Sequence, residues 1–420
     1  MITINIPTSK SYAQRIILVS IFSGIETIIQ NIDYCDDIKS TLDILYQFNS
    51  KYEILDNGDI YINTTKYPLD FNIKNINVNE SGTLCRILIP ILSNYQNEFN
   101  INGQGTLLNR DLSDIENFFN LSYIKFITNN GKLPITICGK NNEFILYHYG
   151  YTFDCTNTSQ YLSGIIISYA LKNENNVFIQ ADNVYSIDYV KITIDVLNKF
   201  GYDIYLQKLE REDSYIILIY KVDLLKDKLY INVEGDWSSA ASIILYNIIN
   251  KPNEEIHYKN LNLLSTQSDT KIFNLIYKFC DIYECDDYIS IKKKTELNDF
   301  VFDCSHCPDL FPVVCTLAAT NKNGCSEIIG LDKLVNKESN RGKVILKEFR
   351  KYGINVIKIH NSLFIQGTDS YNYGVEYNSH NDHRIAMALI ILRKYYNDII
   401  PTEDKCLNKS YPNFIKDINE

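Results

Sequence analysis

The sequence predicts a mixed α/β fold in two domains. Three observations predict it: the length, a polar-cluster-then-apolar-run pattern that recurs six times, and alternating segments between the copies. At 420 residues the chain exceeds one ordinary core and suits two domains of about 200 residues each. Hydrophobic residues make up 45% and charged residues 22%. There is no Gly/Ser linker, Pro-rich tract or block of like charge, so the chain reads as globular throughout.

The recurring unit is a short polar or small cluster followed by an apolar helical run. Its anchors are Ser9, Ser81, Thr158, Asp236, Pro308 and Asp382, and the runs that follow are 16–22, 87–92, 161–171, 240–249, 310–319 and 385–392. The anchors stand 72, 77, 78, 72 and 74 residues apart. Solenoids repeat at about 20–50 residues, so this period describes a larger unit. Ser, Thr and Asp cap helix N-termini, and an almost wholly apolar run after a cap predicts a helix buried on most sides.

Between the anchors, residues 61–64, 144–148, 215–220 and 362–366 alternate or are rich in β-branched and aromatic residues, which predicts strands. More polar helices are expected over 189–200 and 344–352, each ending before a glycine, Gly201 or Gly353, suited to a left-handed cap. The unit is therefore α/β. Buried helices that carry Ser, Lys, Gln or Arg in their first turn aim that turn at something polar. Several converging N-termini form an anion site, each contributing about 0.3–1 kcal/mol.

Composition narrows the partners. A net charge of −10 argues against a nucleic-acid surface. No stretch approaches the roughly 18 apolar residues of a membrane span, and the start of the chain is strand-like rather than a cleavable leader. A cytoplasmic monomer is expected. The eleven cysteines are odd in number and scattered, which fits buried thiols in a reducing compartment. Cys304 and Cys307 have CxxC spacing, but no second pair follows; neither a metal nor a cofactor is expected.

Lysines outnumber arginines 33 to 8, so arginine that persists is informative. Five of the eight, Arg15, Arg86, Arg110, Arg341 and Arg384, fall in short segments bearing Gly, Ser or Asp. The planar guanidinium holds a carboxylate or phosphate by two parallel bonds. Five such forks point to a small substrate carrying several negative groups.

An ordered set of motifs is more specific: Ser9, Lys10 and Ser11 with Arg15; Ser81, Gly82 and Thr83 with Arg86; Ser159, Gln160 and Tyr161; Glu234, Gly235 and Asp236 with Ser238 and Ser239; Pro308 and Asp309; Lys337, Glu338 and Ser339 with Arg341; Asn381, Asp382, His383 and Arg384 with Ala386 and Met387; and Lys409, Ser410, Tyr411 and Pro412. On these residues the chain, from Thr8 to Phe414, resembles the enolpyruvyl transferase family, and within it the branch whose acceptor is shikimate 3-phosphate.

The resemblance implies two domains of three βαβαββ units each, joined by two crossovers and closing on substrate in the cleft between them. One domain would be 9–233 and the other 1–8 with 234–420. It further implies that shikimate 3-phosphate is held by Lys10, Ser11, Arg15, Thr158, Ser159, Gln160, Ser186, Tyr189, Asp309 and Lys337, with Thr158 where Ser is usual. Phosphoenolpyruvate would be held by Lys10, Gly82, Arg86, Arg110, Gln160, Arg341, Arg384 and Lys409. All five sequestered arginines are thereby assigned.

The implied reaction delivers a proton to the methylene carbon of phosphoenolpyruvate and removes one from the attacking hydroxyl, which needs acid and base groups of unlike pKa. Lys10, Asp309 and Glu338 are the expected catalytic residues: Glu338 as relay to the methylene carbon, Asp309 engaging the 5-hydroxyl, Lys10 as cation and proton donor. Departures from the family pattern fall at Glu80, Ile87, Val335 and Asn340. His383 reads as a positioning residue and Trp237 as packing. Two rivals remain. The sister activity on UDP-N-acetylglucosamine typically has a reactive cysteine on a mobile loop, and 103–111 here has none. A silent binding protein would not need Lys10, Asp309 and Glu338 together.

Overall fold

Each anchor of the sequence pattern begins a buried helix. In the computed structural model, which describes residues 2–48, 50–63, 74–121, 124–139, 152–173, 176–223, 228–322, 324–335 and 337–419, these helices are Lys10–Ser23, Gly82–Leu92, Gln160–Lys172, Trp237–Asn250, Phe311–Thr320 and His383–Tyr395. Their runs are apolar around the whole circumference, so no side is left for water; in Lys10–Ser23 every residue from Tyr12 to Phe22 is buried. Ser81, Asp236 and Asp382 cap through their side chains, accepting from the backbone N–H of Leu84, Ser239 and Arg384. Pro308 instead opens a 3-10 turn, Pro308–Leu310, that leads into the fifth helix.

The chain divides into two compact units: Ser9–Val233, and the residues up to Thr8 with those from Glu234 onward. In the central unit the helices Lys10–Ser23, Gly82–Leu92 and Gln160–Lys172 pack on one another. Gly164 lets the last two approach closely, since a Cβ there would stand 2.6 Å from the Ile87 carbonyl oxygen. The other unit repeats the plan with Trp237–Asn250, Phe311–Thr320 and His383–Tyr395, and Thr316 Oγ1 donates to the Ala388 carbonyl across two of them at 3.1 Å.

Four-stranded sheets surround the helices, all of one design: a parallel pair, then an antiparallel hairpin. The strands Asn75–Asn77 and Glu98–Asn102, for example, flank the helix Gly82–Leu92 and pair in parallel, as strands joined by a helical crossover must. The central unit has three such sheets among the described residues. One takes its outer parallel strand, Lys228–Asn232, from the far end of the unit, where it pairs with Glu26–Gln30. The second unit does the same with Ile2–Asn5, which pairs in parallel with Glu255–Lys259.

The second unit has two four-stranded sheets among the described residues. Its third buried helix, His383–Tyr395, is followed by the 3-10 turn Lys405–Lys409 and the short helix Phe414–Asp417, so the sixth repeat consists of its helix without a full sheet. The expected strands 215–220 and 362–366 occur as Tyr215–Tyr220 and Ser362–Gln366, and 61–64 as Ile60–Asn63, while 144–148 lies outside the described residues. The polar helices are Ile187–Phe200 and Arg341–Lys351, with Gly201 and Gly353 at φ +99° and +85°. The second begins at Arg341, earlier than its apolar pattern shows, because Asn340 caps it through Lys343 N–H.

Candidate active site

The expected residues fall into two groups, one on each unit, at helix starts and in the loops and turns beside them. In the central unit, Gln14 ties the helix starts together. Its Nε2 donates to Ser81 Oγ at 2.9 Å, to Thr41 Oγ1 at 3.0 Å and to the Asp37 carbonyl at 3.2 Å. Lys10, on the same first turn, meets Asp37 Oδ2 at 3.0 Å. The expected cation is thus positioned by a carboxylate that no local motif marks.

Arg15 is 1% exposed, and all its bonds are to neutral oxygens. Nε donates to Thr193 Oγ1 at 2.7 Å, Nη1 to the Ser11 carbonyl at 2.7 Å and Nη2 toward Ser163 Oγ at 3.5 Å. Burial without a carboxylate brings its pKa down to about 10, the nearby Tyr189 and Tyr12 only partly opposing this. Such a guanidinium is stabilised by any anion that reaches it.

Arg86 and Arg110 stand against Gly82. A Cβ on that glycine would lie 3.5 Å from Arg86 Nη1, an ordinary contact, but 2.6 Å from Arg110 Nη1, so glycine is what lets the Arg110 guanidinium sit this close to the helix start. Arg86 is 6% exposed; Nη1 donates to Gln160 Oε1 at 3.1 Å and Nη2 to the Asp111 carbonyl at 3.2 Å, while Nε has no hydrogen-bond partner. Gln160 is fixed in turn by Thr83 Oγ1 at 2.9 Å, and its N–H by Thr158 Oγ1 at 3.2 Å. Ser159 Oγ donates to the Ser186 carbonyl at 3.2 Å, which connects this cluster to the helix Ile187–Phe200 and Tyr189. All eleven expected residues of the central unit belong to this group of helix starts and the loops beside them.

In the second unit one arginine organises the acids. Arg341 Nη1 donates to Asp309 Oδ1 at 2.6 Å, Nη2 to Glu338 Oε2 at 2.8 Å, and Nε to Asp382 Oδ2 at 2.9 Å. Lys337 Nζ adds a second cation 3.3 Å from Asp309 Oδ1. Burial alone would raise the Asp309 pKa, but Lys337, Arg341 and Arg384 outweigh it and hold the carboxyl well below the usual range. Arg341 is itself held strongly protonated, its three carboxylates overcoming its own burial. The resemblance gives Arg341 to phosphoenolpyruvate; in the structure its nitrogens are taken by carboxylates of its own chain.

Arg384, 3% exposed, approaches Asp236 Oδ1 at 3.6 Å through Nη2, and its Nε and Nη1 have no hydrogen-bond partner. Lys409 is buried at the end of the turn Lys405–Lys409, which packs on the helix bearing Arg384. Trp237 is a packing residue: fully buried, it donates through Nε1 to the Asn262 carbonyl and meets the edge of Phe273. Cys304 and Cys307 are buried beneath the turn bearing Asp309, and burial pushes the Cys304 thiol up.

Reasoning from sequence did not select Asp37, Thr193, Asp236 or Asp382 as functional residues. Asp236 and Asp382 were visible as helix caps, and Asp382 also stands two residues before Arg384, which was the available signal. For Asp37 and Thr193 no local signal exists, since each meets its partner only through the fold.

A family model of EPSP synthase (3-phosphoshikimate 1-carboxyvinyltransferase) matches residues 2–418. The chain belongs to the EPSP synthase family. It is 31% identical to a 3-phosphoshikimate 1-carboxyvinyltransferase of Clostridium novyi and 32% to that of Clostridium acetobutylicum, covering 99% of this chain and 94% of each relative. The fold is similar to solved structures of EPSP synthase from Acinetobacter baumannii (TM-score 0.76, 20% identity) and of the enolpyruvyl transferase NikO from Streptomyces tendae (TM-score 0.71, 13% identity). Each comparison covers 99% of this chain and 94% of the other. No helix among the described residues is long and apolar enough to cross a membrane.

Proposed function

We propose that the chain transfers the enolpyruvyl group of phosphoenolpyruvate to the 5-hydroxyl of shikimate 3-phosphate, releasing phosphate. The observation that carries this reading is the charge arrangement of the central unit. Arg15 is buried among neutral groups, and Arg86 and Arg110 crowd one glycine, an excess of fixed cations suited to anionic substrates.

The second unit supplies the acids. Asp309, kept as a carboxylate by Lys337 and Arg341, is an acceptor that orients the 5-hydroxyl rather than a strong base. Glu338, whose Oε2 is held by Arg341, relays the proton to the methylene carbon. Protonation there makes C2 electrophilic; the hydroxyl oxygen bonds to C2 and loses its proton, giving a tetrahedral ketal. Loss of a proton from the new methyl group and departure of phosphate restore the double bond. Lys10, fixed by Asp37, supplies positive charge toward the phosphoenolpyruvate oxygens. In this scheme no cofactor takes part.

A coupled phosphate-release assay with phosphoenolpyruvate and either shikimate 3-phosphate or UDP-N-acetylglucosamine tests the reading. Release only with shikimate 3-phosphate is expected. Release only with the nucleotide sugar would assign the sister activity, and none with either acceptor would leave a binding protein.

A further inference from the structure

Asp269 is a buried carboxyl near Asp309 and Arg384 that the proposed mechanism does not use. It lies in the 3-10 turn Ser268–Ile272, which packs against the turn Pro308–Leu310 and the helix Trp237–Asn250. The residue is 2% exposed. Its carboxyl accepts hydrogen bonds from Ser238 Oγ and, at 3.4 Å, from Ser268 Oγ. No Lys, Arg or His lies within ion-pair distance of it among the described residues, unlike Asp309 and Glu338.

The charged and titratable groups that act on it are Asp309 from the adjoining turn, Asp236 from the start of Trp237–Asn250 and Arg384 from His383–Tyr395, with the Cys304 thiol near; its own turn also carries Lys271. A carboxylate buried with two hydroxyl donors, facing two other carboxylates and one guanidinium, is poorly stabilised. Burial first, then Asp309, push its pKa up to about 7. Asp309 is driven the opposite way. Two neighbouring acids with pKa values forced apart are a common basis for division of labour in a site.

We propose that Asp269 is a positioning residue whose protonation sets the charge around Arg384 and Asp309. Neutral, it anchors Ser238 at the helix start and leaves Arg384, with its unbonded Nε and Nη1, to an anionic group of phosphoenolpyruvate. Ionised, it competes for Arg384 and adds a third negative charge next to Asp309 and Asp236. This rests on the reading of Arg384 as a phosphoenolpyruvate ligand.

The test is Asp269→Asn, which keeps the shape and one acceptor oxygen, enough for the Ser238 hydroxyl, but cannot ionise. KM for phosphoenolpyruvate is measured by phosphate release from pH 5.5 to 8.5 for both proteins, and their ratio removes the substrate's own ionisation. The ratio of wild type to variant is expected to rise severalfold through neutrality while the kcat ratio stays level. A flat KM ratio overturns the proposal. Melting temperature against pH gives a readout without turnover. A carboxyl whose folded pKa is raised stabilises the native state below the ordinary carboxylate range and loses that contribution as pH rises toward 7. The variant should therefore gain stability over wild type between pH 4 and 8; a pH-independent difference overturns the protonation claim. Absence of phosphate release from wild type at every pH sinks the functional reading instead, and the melting curves still decide whether Asp269 carries the proton.

Discussion

Arg341 Nη1 lies 2.6 Å from Asp309 Oδ1, while the remaining nitrogens of the same guanidinium hold Glu338 and Asp382. One side chain therefore fixes both acids proposed for catalysis and the cap of the helix that presents Arg384. Only arginine can do this, because three carboxylates need a planar fork with three nitrogens, which a lysine ammonium cannot match in direction.

Removing that fork leaves three carboxylates together, one of them, Asp382, fully buried. Arg341→Met is expected to destabilise the protein by about 3–5 kcal/mol, the range for breaking a buried pair from one side. Arg341→Lys should cost less stability but still most of the activity. Urea denaturation and the phosphate-release assay check the two together.

Asp309 should show its depressed pKa in acid. Its contribution to stability is present above the ordinary carboxylate range and lost as pH falls through the lower folded value. The stability gap between wild type and Asp309→Asn should thus be full at pH 6 and close only in strong acid, well below pH 4. A gap that closes already near pH 5 contradicts the ion pairing seen with Lys337 and Arg341.

Gly82→Ala places a methyl group 2.6 Å from Arg110 Nη1, too close for both to stay. The side chain must retreat, and KM for phosphoenolpyruvate should rise by about tenfold or more, the scale of one misplaced methyl in a fitted pocket. Far-UV circular dichroism should be unchanged, since the glycine needs no unusual backbone conformation here.

Glu338→Gln should abolish exchange of solvent deuterium into the methylene group of phosphoenolpyruvate, measured by NMR in the presence of shikimate 3-phosphate. Undiminished exchange would remove Glu338 as the relay and shift the role to Lys10.

The buried helices were legible in the sequence because their runs are apolar on every side and their caps are Ser, Asp or Pro. That the sixth repeat lacks a full sheet among the described residues was not, since the motif at Asp382 announces a helix and says nothing of strands. The candidate residues were legible as a set of arginines. Their partners were less so: Arg15 meets Thr193 across 178 residues, and Arg341 meets Asp382 across 41. Such pairs leave no periodic trace, and Asp269, in a polar loop before a weak helix, looked like any turn aspartate.

The central claim is that Arg15 waits for an anion of the acceptor substrate. Isothermal titration of shikimate 3-phosphate into wild type and Arg15→Met, with melting temperatures of both free proteins, tests it most directly. The account predicts saturable binding to wild type, loss of most of that binding in the variant, and a free variant at least as stable as wild type, because a buried charge without a carboxylate has been replaced by an apolar chain. Equal binding by the two proteins would contradict it.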